Sequence, residues 1–131
     1  MQTKTCLSGL ALCLAVSAGS AQAVVTEDRF LVRNTGDLVE LCSTEPSEAM
    51  HTAASNFCHG FAVGVFRVLQ AEDAARRVKH LFCQPNPAPT RNEAILNFVR
   101  WAKVDVSRMA MPAADGIATF LSQQYPCPRG R

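Results

Sequence analysis

Four cysteines, Cys42, Cys58, Cys83 and Cys127, constrain this chain more than any other feature. In an oxidising compartment an even set implies two bridges. Any fold must then bring these four positions together in pairs. Two further cysteines, Cys6 and Cys13, belong to a different part of the chain.

The N-terminus answers whether the compartment oxidises. Met1-Gln2-Thr3-Lys4 carries one charge, Cys6 to Ala18 is small and apolar, and Ser20-Ala21-Gln22-Ala23 supplies an A-x-A exit. This pattern predicts a secretory signal peptide over residues 1–23, cleaved after Ala23. The apolar run is shorter than the roughly 20 residues that a bilayer span needs. Leu12 precedes Cys13, where a lipoprotein would carry a small residue, so no anchor is expected after cleavage. Both Cys6 and Cys13 leave with the leader, and residues 24–131 form one domain of a size that folds without a metal.

Cleavage also settles the charge balance. Losing Lys4 takes the thirteen basic side chains to twelve, against eleven acidic ones. Nucleic acid and anionic lipid select clustered Lys and Arg in excess, so neither partner class is expected. The one basic knot, Arg76-Arg77-Val78-Lys79-His80, follows Glu72-Asp73 and reads as a solvated helix end.

The remaining pattern is helical. Val24 to Asn34 is expected to be a loose lead-in tacked to the core by Phe30 and Val32. Thr35-Gly36-Asp37 offers a cap, and Leu38, Val39, Leu41 and Cys42 form one face of a short first helix that stops before Pro46. From a Ser47 cap, Met50, Ala54, Phe57, Cys58, Phe61, Val65, Val68 and Leu69 recur at three- and four-residue steps, predicting a long second helix. Gly60 and Gly64 each cost about 1 kcal/mol against alanine there, which suggests that a neighbouring helix approaches closely. Pro85, Pro87 and Pro89 fix an extended linker. Thr90-x-x-Glu93 is a capping box for a third helix with Ile95, Phe98, Val99, Ala102 and Val106 on its face. Pro112 suits the first turn of a fourth, whose face is Ile117, Ala118, Phe120, Leu121 and Tyr125. The expectation is an all-α bundle of about four helices with two intramolecular disulfides. Helix ends favour pairing Cys42 with Cys58 and Cys83 with Cys127, while the other two connectivities stay open.

Catalytic and metal chemistry find little support. Ser55-Asn56-Phe57-Cys58-His59 lacks the first thiol of a haem attachment signal, so burial of His59 at a helix interface is the better reading. His51, Cys58, His59, His80 and Cys83 hold the right atoms for zinc, but their spacing fits no common closed site. No nucleophile-elbow, zincin or phosphate-loop motif occurs, and Asp37, Asp105 and Asp115 read as cap or surface groups. Neither an enzyme nor a cofactor is expected.

One resemblance remains. Gly36-Asp37-Leu38-x-x-Leu41-Cys42, Cys58-x-Gly60-Phe61-x-x-Gly64, Phe82-Cys83-x-Pro85 and Tyr125-Pro126-Cys127 follow one another along nearly the whole processed chain. In this order they resemble the Tai-like periplasmic immunity proteins of type VI secretion amidase effectors. The resemblance implies a periplasmic protein, commonly dimeric, that binds a cell-wall amidase toxin and blocks its active site without doing chemistry. The proline-rich stretch after Cys83 and the run Val104 to Met111 depart from that pattern. The rival expectation is a periplasmic stress or chaperone-like module exposing an apolar patch at Val104, Met109 and Met111, against which the methionines are read as core filling.

Overall fold

The computed structural model describes residues 24–75 and 80–128. Residues 1–23, where a leader is expected, and residues 76–79 of the basic knot lie outside them. A 3-10 turn, Glu27–Leu31, leads into α1 (Thr35–Cys42), α2 (His51–Ala75), α3 (Arg91–Lys103), α4 (Val106–Ala110) and α5 (Ala113–Gln124). The described residues contain no strand, and the architecture is all-α. The bridges are Cys42–Cys58, tying the end of α1 to α2, and Cys83–Cys127, tying the segment before α3 to the tail after α5.

Local chemistry explains the boundaries. Asn34, not Thr35 or Asp37, caps α1: its Oδ1 accepts the Asp37 backbone N–H at 2.9 Å, which satisfies one of the donors orphaned at a helix start. The predicted capping box is present in both halves, with Thr90 Oγ1 accepting from the Glu93 N–H and the Glu93 carboxylate accepting from the Thr90 N–H. The third helix ends earlier than its periodicity suggested. Val104 closes α3, and Asp105 leaves the helix with φ −145° to cap α4 through the Ser107 N–H at 2.8 Å. An aspartate that can bond nearby backbone competes with helix continuation. Val106, expected on the buried face, is 86% exposed instead.

The shortest predicted helix turns out to be central. Leu38, Val39 and Leu41 of α1 are almost completely excluded from solvent, and α1 packs against the 3-10 turn and all four other helices. Long α2 buries only Ala54, Cys58 and Asp73 fully, with Phe61, Val65, Phe66 and Leu69 half-covered against the core. Phe98, Trp101, Phe120 and Tyr125 make a second centre between α3 and α5, with ring centroids 5.6–6.2 Å apart. Trp101 is anchored there by its Nε1–H, which donates to Gln123 Oε1 at 2.9 Å, while the Arg108 guanidinium lies 4.6 Å over its ring.

Close helix approach occurs, but elsewhere than expected. A Cβ placed on Gly60 or Gly64 meets no atom within 4 Å, whereas one on Gly116 would fall 2.1 Å from Thr35 Oγ1. The helices that need glycine are therefore α1 and α5. Thr35 completes that contact by donating from its backbone N–H and its hydroxyl to the Met111 carbonyl, at 2.7 and 3.1 Å.

Candidate protein-binding surface

Two polar ties fix the edges of the molecule. At the start of α1, the Asp37 carboxylate is 1% exposed and receives the Arg29 guanidinium at 2.6 Å, the Arg33 backbone N–H at 3.1 Å and the Arg33 Nε at 3.3 Å. Arg29 also reaches Glu40 at 2.7 Å, and Arg33 pairs with Asp28. Burial pushes the Asp37 carboxyl up, but the hydrogen bonds from Arg29 and Arg33 outweigh it and hold the group below its ordinary value. Asp37 is thus neither the cap nor the surface group expected of it. The same ties turn the lead-in into an ordered 3-10 element, after which Val32 reverses the chain at φ 45°. A β-branched residue rarely adopts this conformation, and burial of the Val32 side chain holds it there.

The second tie organises the strap between α2 and α3. Near the end of α2, Asp73 accepts the Leu81 N–H at 2.7 Å and the His80 Nδ1 at 2.9 Å. Cys83 then donates its N–H to the Tyr125 carbonyl at 2.8 Å beside its own disulfide. Phe82 between them is buried and packs on Phe66 at 5.7 Å.

Three apolar surfaces are left open by this arrangement. The outer face of α2 carries Phe57, Gly60, Phe61, Gly64 and Val68 at helical spacing, Phe57 stacking on Phe61 and meeting Phe30 edge-on at 5.3 Å. The α3–α4 corner presents Val104 and Val106, 79% and 86% exposed. Of the two methionines read with Val104, Met109 packs on the core and Met111 is half-buried. Between α2, the strap, α3 and α5 lies a groove of about 260 Å³ floored by aromatic rings, with Arg67 and Arg91 at its edge. A helix of 25 residues spans about 37 Å, so α2 offers a long platform of the kind protein interfaces use.

The residues weighed for chemistry are dispersed. Cys58 and Cys83 are held in separate disulfides, His51 bonds the Thr44 carbonyl at 2.9 Å, His80 pairs with Asp73, and His59 is half-buried on α2. No three His, Cys, Asp or Glu side chains among the described residues converge as a metal site. No helix among them is long and apolar enough to cross a membrane. Of the features read from the sequence, the four cysteines are brought together in the expected pairs. The buried Asp37 network, the central Trp101 and the Gly116 crossing were not anticipated. The only signal for the first was the placement of Arg33 and Arg29, four and eight residues before Asp37.

Open apolar faces on a disulfide-stapled helical frame suit a protein-binding domain. Residues 34–127, from the cap of α1 to the last cysteine, match the Rap1a immunity proteins, and the chain belongs to that family. Its partner is accordingly another protein, the effector that an immunity protein counters. No curated protein and no solved structure matches the chain.

Proposed function

We propose that this protein is a periplasmic immunity protein that neutralises a type VI secretion cell-wall amidase effector by covering the effector's active-site cleft. The observation carrying this reading is the family match, which encloses all four cysteines and every described α-helix. The signal-like residues 1–23 and the two disulfides support a periplasmic site of action, because disulfides persist in oxidising compartments. Inhibition by coverage needs shape and apolar anchors, and the α2 face and the Val104–Val106 corner supply them.

The test is protection. The full chain, with its leader, is expressed in cells whose periplasm receives a candidate amidase, and cell lysis is followed alongside co-purification of the two proteins. Protection with a stoichiometric complex is expected from the cognate amidase. Lysis at the control rate for every amidase class, with no complex, discards the amidase reading. Light scattering of the processed protein reports whether it is a dimer.

A further inference from the structure

The groove between α2, the strap, α3 and α5 has a chemistry that the immunity reading does not use. Its floor is formed by Phe66, Phe82, Phe98, Ile117, Phe120 and Leu121, and all of these but Phe66 are buried. A volume of about 260 Å³ lies near the lower end of small-molecule sites, which run from about 300 to about 1,000 Å³, a size suited to an alkyl chain of medium length. Among the described residues, every charged side chain that lines it is a cation: Arg67 and Arg91. Gln84 and Tyr125, its neutral polar lining residues, can both donate hydrogen bonds.

Among the described residues no carboxylate lies within ion-pair distance of Arg67 or Arg91. Arg67 donates only to Gln70 Oε1, at 3.0 Å, and lies 5.9 Å from the Phe66 ring centroid. Arg91 is the first residue of α3, the end of a helix where a cation is disfavoured and an anion is favoured. An apolar cavity bordered, among the described residues, by two guanidinium groups without an ion-pair partner and by no acid is complementary to a ligand with a hydrocarbon body and an anionic head.

We infer that this groove binds a medium-chain carboxylate, its alkyl chain among the aromatic rings and its head against Arg67 and Arg91. The ligand class is that of free fatty acids. Trp101 is positioned to report binding, because its ring lies 6.2 Å from Phe98 and 5.8 Å from Phe120 on the floor.

The experiment titrates the processed, disulfide-bonded protein with decanoate below its micellar concentration, following Trp101 fluorescence and calorimetric heat, with decanol and acetate as comparators. Saturable binding of one decanoate per chain is expected, with decanol bound at least about tenfold more weakly and acetate not measurably bound. The double substitution Arg67→Glu/Arg91→Glu, both at exposed positions, weakens decanoate by about tenfold or more at unchanged helicity. Ala94→Phe fills the groove and abolishes binding. Absence of saturable binding, equal affinity for decanol, or indifference to the arginine exchange overturns the assignment. So does decanoate splitting a dimer into monomers, which would make a second copy the occupant.

Discussion

Gly116 passes so close beneath Thr35 that a single methyl group on the glycine would lie 2.1 Å from the threonine Oγ1. The partner cannot yield easily, because Thr35 is fully buried and its hydroxyl donates to the Met111 carbonyl. Gly116→Ala is therefore expected to lower stability by about 1–3 kcal/mol, the usual cost of overpacking a tight core. Urea unfolding followed by circular dichroism measures it. Adding Thr35→Ala to that variant should cost less than the sum of the two single changes. Strict additivity would show that the clash is absorbed elsewhere.

Gly60 and Gly64 predict the reverse. With nothing within reach of an added Cβ, alanine at either position should stabilise the isolated protein by up to about 1 kcal/mol through helix propensity alone. If the α2 face is where a partner docks, the same substitutions weaken association while raising the melting temperature. A higher melting temperature with unchanged association by light scattering and effector pull-down would move the interface off this face.

Asp37 makes stability depend on acid. Its folded pKa is depressed, so the contribution is complete above the unfolded aspartate value of about 3.9 and is lost as pH falls through the lower folded value. The unfolding midpoint of the wild-type protein should thus drop between about pH 5 and about pH 2, and Asp37→Asn should flatten part of that drop. At neutral pH the substitution is expected to cost about 1–3 kcal/mol, because charge-assisted bonds from Arg29 and Arg33 become neutral ones. Equal pH slopes for the two proteins would assign the acid sensitivity to other carboxylates.

The two disulfides should open in a fixed order. In the first bridge Cys58 is completely buried and only Cys42 is half-buried, whereas in the second Cys83 and Cys127 are both half-buried, and thiol attack requires access to sulfur. Mild reductant under native conditions should release Cys83 and Cys127 first, with Cys42–Cys58 opening only on larger unfolding. Alkylation and mass spectrometry after short exposures resolve the order, and early labelling of Cys42 would contradict it.

Periodicity made the helices legible, and the cysteine positions at helix ends made the pairing readable, because both depend on residues close in sequence. The Thr90–Glu93 box was visible for the same reason. The role of each glycine was not, since the residue itself says nothing about which helix crosses it: Gly60 and Gly64 looked like a contact and face open space, while Gly116 is the real crossing. Asp37 looked like a cap or surface acid because its burial depends on Arg29 and Arg33 folding back over α1. The binding faces were legible only as a rough surplus of apolar residues, and Val106 shows why. Its place in the repeat fitted a buried stripe until Asp105 ended the helix before it.

The placing of α1 at the centre sets an order in time as well as in space. Thr35, at its start, bonds Met111, 76 residues further on, and α3, α4 and α5 from the second half of the chain all pack against α1. Contacts so distant along the sequence slow folding relative to a bundle of consecutive hairpins. The nascent chain consequently has no finished core to collapse onto until its last helix has been made. On the proposed periplasmic function, a chain that crosses a membrane before it folds gains from being unable to finish early.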